Sequence, residues 1–80
     1  MKLKLKVPRL SMNMVEATIT KWHVQPGQSF ARGDTLYELE TEKVTNEIEA
    51  EQDGRLLEIL AGDGADVEVG DPVCRVEYRP

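Results

Sequence analysis

The chain has 80 residues, a mass of 9.0 kDa and a net charge of −5. A chain this short buries only about 60% of the surface it exposes when unfolded, which leaves little room for a core and a deep substrate cavity together and speaks against an autonomous enzyme. The excess of 15 acidic over 10 basic residues repels phosphate backbones, so nucleic acid is a poor partner. No apolar run approaches the roughly 18 residues of a membrane span, and the lone Cys74 allows neither an internal disulfide nor a cysteine metal site.

In chain order, Lys2, Lys4 and Lys6 alternate with Leu3, Leu5 and Val7, the pattern of a strand with one wet face and not of a targeting peptide. Ser11 to Glu16 then connects the first two strands. Thr18 to Val24 is β-branched and aromatic and reads as the second strand, with Trp22 as core scaffold and His23 as a surface residue without a catalytic partner nearby. Phe30, Leu36 to Thr41 and Val44 to Ala50 continue the pattern. In the last of these, Val44, Asn46, Ile48 and Ala50 share one face, and Thr45, Glu47, Glu49 and Glu51 share the other. Turns are expected at Pro26-Gly27, Arg32-Gly33-Asp34, Asp53-Gly54, Gly62-Asp63-Gly64 and Val69-Gly70-Asp71. Cys74 reads as strand scaffold, and no sustained helical stripe is present.

A shift of 37 residues matches the chain to itself without a gap. Gly27, Gly33 and Asp34 fall on Gly64, Gly70 and Asp71; Val7 falls on Val44, Ile19 on Leu56, Trp22 on Ile59, Phe30 on Val67 and Leu39 on Val76. One domain over residues 1–80 is expected, built from repeats 7–43 and 44–80 whose apolar faces bury each other. The expected fold is all-β: a flattened barrel or sandwich of two short antiparallel sheets with pseudo-two-fold symmetry. The symmetry puts the two termini together at one end and a tight Glu42-Lys43 hairpin at the other. Local turn chemistry does not demand that hairpin, since it holds neither Gly nor Asn.

Lys43 is the only basic residue between Arg32 and Arg55 and is surrounded in sequence by carboxylates. They favour its protonated form, so it suits an acceptor that another enzyme recognises and deprotonates better than a nucleophile acting alone. A solvated lysine on an acidic strand tip is the alternative.

Around this lysine the sequence resembles the lipoyl domains of the acyltransferase components of 2-oxo-acid dehydrogenase complexes, within the biotinyl/lipoyl carrier family. The resemblance is carried by Val7-Pro8-Arg9-Leu10-Ser11-Met12-Asn13-Met14, by Ile19-Thr20-Lys21-Trp22, by Gly33-Asp34, by Leu39-Glu40-Thr41-Glu42-Lys43-Val44 and by Gly70-Asp71. Glu42 replaces the family's usual Asp, and Ala17 stands where Gly is common. The resemblance implies covalent lipoate on Lys43, with Glu40, Thr41, Glu42 and Val44 setting the turn and the identity of the attached group. It implies that Ser11, Met12, Asn13, Met14, Val15 and Glu16 lie beside the hairpin and help partners recognise the domain. Met14 and its neighbours are read equally as contact surface or as caps on the core.

The implied partners are a lipoate ligase or lipoyl transferase, a thiamine-diphosphate-dependent decarboxylase, an acyltransferase core and a flavin-dependent dihydrolipoyl dehydrogenase. The lipoyl arm would move acyl groups and reducing equivalents among them, in a complex of the pyruvate or acetoin type, while the monomeric domain supplies no catalysis of its own. A biotin carrier is the competing reading, but that pattern has Met on both sides of the lysine, where this chain has Glu42 and Val44. An unmodified β-domain adaptor is a third. The initial Met and the lack of a transit segment lead to the expectation of a bacterial cytosol, or of the mitochondrial matrix for a eukaryotic source.

Overall fold

A computed structural model describes residues 1–12, 14–42 and 44–79. Eight strands follow one another: β1 (Lys2–Lys6), β2 (Glu16–Trp22), β3 (Ser29–Phe30), β4 (Thr35–Thr41), β5 (Val44–Glu49), β6 (Gly54–Ile59), β7 (Asp66–Glu68) and β8 (Pro72–Tyr78). They form two antiparallel four-stranded sheets, ordered β1-β8-β6-β3 and β5-β4-β2-β7. We call them the β8 sheet and the β4 sheet. There is no helix among the described residues, as the sequence pattern predicts.

The apolar members of each alternation face inward. Ile19, Leu36, Tyr37, Leu39, Leu56, Val73, Cys74 and Val76 are almost fully buried, and no charged side chain is buried among the described residues. Trp22 is core as expected; its ring packs on Tyr37 at 4.7 Å, and its Nε1–H donates to the Ala61 carbonyl at 2.7 Å. That bond satisfies the only polar atom of a buried indole.

The 37-residue offset maps β2 onto β6, β3 onto β7 and β4 onto β8. Its turn glycines keep matched conformations: φ is 92° at Gly27 and 84° at Gly64, and 90° at Gly33 and 92° at Gly70. All four lie in the left-handed region that glycine enters without a Cβ penalty. The following aspartates match too. Asp34 accepts from Ala31 N–H at 2.9 Å and Asp71 from Glu68 N–H at 2.8 Å.

The offset fails on the outer strands. Val7 is buried, whereas Val44, its expected mate, is 56% exposed. The bonding identifies the true equivalent as Ala50. Val7 exchanges backbone bonds with Asp71 and Gly70, and Ala50 makes the same two bonds with Asp34 and Gly33. In register, Leu5 lies opposite Cys74 as Ile48 lies opposite Tyr37. β1 and β5 are therefore related by 43 residues, so the chain takes six more residues from Val7 to Ala17 than from the equivalent Ala50 to Gly54.

Gly54 also differs from expectation. It is not in a turn but opens β6, buried between Phe30 on one side and Tyr78 on the other. Its equivalent is Ala17, opposite Val67. The pairs compensate in size: glycine faces phenylalanine in one sheet, and alanine faces valine in the other. Ala17, where glycine is common in the resembling family, thus packs inside the core.

Candidate functional site

β4 and β5 form a hairpin whose last pair is Thr41 and Val44. The chain therefore reverses within the two positions between them. Lys43, the expected attachment site, lies outside the described residues, as do Asn13 of the expected recognition loop and Pro80. The described flanks show how the tip is made. Glu42 has φ of 30° and is the one non-glycine residue with positive φ among those described. Two-residue hairpins need left-handed backbone because only that twist matches the strands, and glutamate takes it here at a cost of about 1 kcal/mol. This is the feature that residue type alone concealed.

The tip stands clear of the barrel. Along β5 the inward-facing positions run from exposed Val44 through half-buried Asn46 and Ile48 to buried Ala50, so the core thins out towards the hairpin. The chain's start lies at the far pole, where β1 pairs with the end of β8 and the Met1 ammonium donates to the Tyr78 carbonyl at 3.0 Å. The beginning of β8 sits at the tip's pole, because Gly70 and Val69 bond back to Val7 and Val15. The symmetry argument thus placed the two poles correctly.

The six extra residues between Val7 and Ala17 lie beside this hairpin. Met14 anchors the loop. It is 5% exposed, and Arg9 Nη1 donates to its carbonyl at 2.9 Å. Leu10 N–H donates to its sulfur at 3.3 Å, and its own N–H closes a turn on the Ser11 carbonyl at 3.2 Å. Met12 and Val15 point outward, 92% and 64% exposed. Of the two readings open for these residues, Met14 takes the capping role and Met12 and Val15 form the available surface. Ser11, Val15, Thr18, Glu40, Glu42 and Val44 line an open groove between loop and hairpin. On its floor Thr18 Oγ1 of β2 donates to its cross-strand neighbour Asp66 of β7 at 2.9 Å, and Glu16 begins β2 opposite Glu68.

Two charged features escaped sequence reading. Arg9 braces the loop, and His23, exposed as expected, pairs through Nε2 with Glu38 Oε2. Neither forms a catalytic set, and no group of three metal-ligating side chains occurs among the described residues. Burial pushes the Cys74 thiol up to about 12 and raises the Tyr37 hydroxyl as well. Both are packed scaffold, inert at neutral pH. The arrangement places an exposed hairpin beside an open groove.

This two-sheet barrel with a projecting hairpin defines a carrier-type scaffold, and comparison with known proteins agrees. The sequence profile of the biotin–lipoyl family, described as biotin-requiring enzyme, matches residues 3–76, and the chain belongs to that family. It is 36% identical over 85 aligned residues to the mitochondrial protein X component of the pyruvate dehydrogenase complex of Chaetomium thermophilum, covering 92% of this chain and 19% of that protein. It is 44% identical over 68 residues to the dihydrolipoyllysine-residue succinyltransferase component of the 2-oxoglutarate dehydrogenase complex of Bacillus subtilis, covering 85% of this chain and 16% of that one. The chain thus spans under a fifth of the length of these relatives. Among solved structures, the lipoyl domain of the 2-oxoglutarate dehydrogenase complex of Azotobacter vinelandii superimposes with a TM-score of 0.81 at 28% identity, over 98% of this chain and 99% of that one. A single-chain, multi-domain long-chain acyl-CoA carboxylase matches with a TM-score of 0.83 at 20% identity, over 99% of this chain and 7% of that one, a likeness of fold alone.

Proposed function

We propose that residues 1–80 are a lipoyl carrier domain of a 2-oxo-acid dehydrogenase complex and that Lys43 is the attachment residue. The observation that carries this reading is the hairpin tip: strands paired to Thr41 and Val44, a left-handed Glu42, and a position at the pole away from the chain's start. Such a tip offers its lysine to the deep site of another enzyme while the barrel stays outside. The relatives named above, from both pyruvate and 2-oxoglutarate complexes, support the class of complex.

Bound lipoate supplies a dithiolane that carries an acyl group and a pair of electrons. The chain's own residues do the rest. Glu42 shapes the turn beyond the last strand pair, Thr41 and Val44, and Val44, Val15 and Met12 are exposed apolar side chains on the same pole. The acids of the β4 sheet discourage phosphate-rich surfaces. The domain would receive lipoate from a ligase or transferase. It would then visit a thiamine-diphosphate-dependent decarboxylase, an acyltransferase core and a flavin-dependent dehydrogenase. Tethering would raise its local concentration at each.

Incubation with lipoate ligase, lipoate and ATP should add one lipoyl mass, located at Lys43 by peptide mapping and lost in Lys43→Arg. Modification at Lys6 or Lys21 would overturn the site. Acceptance of biotin from a biotin ligase, with refusal of lipoate, would move the domain to the biotin class.

A further inference from the structure

The pseudo-two-fold relation between the sheets matches shape but not charge. Across the outer face of the β8 sheet, Lys4 lies opposite Arg75, and Arg75 opposite Glu58. The equivalent row of the β4 sheet is Glu47, Glu38 and Lys21. Every charge in the row is reversed. Further along the outer strands the reversal recurs, with Lys6 opposite Pro72 where Glu49 lies opposite the equivalent Thr35.

Stability explains only the inner half of each row, where Arg75 pairs with Glu58 and Glu38 faces Lys21 and pairs with His23. Lys4 against Arg75, and Glu38 against Glu47, are like charges placed directly across from each other, an arrangement that destabilises a sheet. Lys4 and Lys6 make no ion pair among the described residues, and Arg75 reaches Glu58 only at 3.7 Å. Either sheet would gain by exchanging one partner. Both instead keep a repulsive pair, at the same place and of opposite sign.

The fold offers a docking partner two faces of nearly the same shape, and only the β4 sheet ends in the hairpin that bears Lys43. We propose that the reversed charges of the β8 sheet, Lys4, Lys6 and Arg75, are an orientation filter. A Lys- and Arg-rich surface beside the partner's active-site entrance accepts the β4 sheet and is repelled by its twin. Encounters are thereby restricted to those that bring the Lys43 pole to the entrance. Like-charge juxtaposition in the wrong mode is an effective way to discriminate between otherwise similar dockings. The inference rests on the proposed carrier function and adds the chemistry of the partner surface and the residues that enforce one orientation.

The test uses lipoate ligase with lipoate and ATP as the probe. The variant Lys4→Glu/Lys6→Glu/Arg75→Glu gives the β8 sheet the charges of Glu47, Glu49 and Glu38. The ligase should then bind it in two orientations, one of them unproductive. Kcat and KM should fall together by about twofold, with kcat/KM not reduced. Amide line broadening on titration with ligase should stay within β2, β4 and β5 for the unaltered chain and spread to β1, β6 and β8 in the variant. Unchanged kinetics with broadening still confined to the β4 sheet would overturn the filter. So would a lower KM at unchanged kcat, which is the signature of net charge alone. Should the triple variant fail to fold, Lys4→Glu/Lys6→Glu on the edge strand carries the same test. An unaltered chain that gains no lipoyl mass would overturn the carrier function, and the filter with it.

Discussion

Gly54 offers a sharp test of how the core is assembled. A Cβ placed there would lie 2.6 Å from the Glu77 carbonyl oxygen and 3.0 and 3.2 Å from ring atoms of Phe30. The carbonyl belongs to β8, which is paired on both sides and cannot retreat without losing ladder bonds. The Phe30 ring is set edge-on against Tyr78 at 6.5 Å and 85°. Overpacking of this kind costs about 1–3 kcal/mol, and the reduced entropy of the unfolded chain returns about 0.4–1 kcal/mol of it. Gly54→Ala should therefore lose about 1–2 kcal/mol. With a urea slope of about 1 kcal/mol/M for so small a domain, the midpoint should drop by about 1–2 M.

Gly62→Ala is the matched control, because its Cβ meets nothing within 4 Å and its backbone is not left-handed; its midpoint should move by less than about 0.5 M. The second arm uses the symmetry. Ala17 is tolerated opposite Val67, so Phe30→Val should cost less in Gly54→Ala than in the unaltered chain, with a coupling of about 1 kcal/mol in the double-mutant cycle. Equal midpoints for the two alanine variants would refute the claim that β6 needs glycine for close approach. Strict additivity would refute the size compensation between the halves.

Three further outcomes follow from named contacts. Glu42→Gly removes the left-handed penalty and should raise the urea-derived stability by about 1 kcal/mol; lipoylation by the ligase should nevertheless slow, because a freer root presents the lysine less consistently. Trp22→Phe abolishes the bond to the Ala61 carbonyl and should cost about 1–3 kcal/mol, read by circular dichroism since the sole tryptophan is gone. Cys74 has its thiol raised to about 12 by burial, against about 8.5 in an unfolded chain. A folded pKa above the unfolded one gives stability that is complete below about pH 8.5 and lost as pH rises towards 12. Urea midpoints should decline over that alkaline range, and Cys74→Ala should flatten the decline despite its own packing loss of about 1 kcal/mol. A thiol reagent should leave the native chain unlabelled at neutral pH and label it on unfolding.

Much of this was legible in the sequence, for identifiable reasons. Period-two alternation exposed the strands because each sheet has one wet face. The paired glycines and aspartates exposed the internal symmetry because both turns demand the same left-handed backbone and the same side-chain acceptor. The polar placement of the hairpin followed from that symmetry. What failed was the gapless register. It carried the 37-residue offset through Val7, where the bonded partner is Ala50 and not Val44. Six additional residues between Val7 and Ala17 separate these two outcomes, and they are hidden because Val7 and Val44 are the same residue type. The tip's strain was invisible too. Nothing in Glu42 announces a positive φ; only pairing of its neighbours across the turn requires it.

The slipped register and the strained tip fall in the same place; Gly54, misread as a turn residue, lies at the other pole but keeps its repeat partner Ala17 and does not break the symmetry. The repeat fits closely in the core, where β2, β4, β6 and β8 must fill one interior, and it breaks in the longer β1–β2 loop and at Glu42. Both breaks lie at one pole, beside the position of Lys43. Each half has its own outer strand and connection, so drift would place such breaks at either pole. Their concentration indicates that the symmetric half provides stability, and that departures from it provide presentation. Local rules are broken where a fold has work beyond folding. By the same logic the charge reversal across the sheets extends the asymmetry from the pole to the faces. It gives a symmetric barrel one side to show and another to withhold.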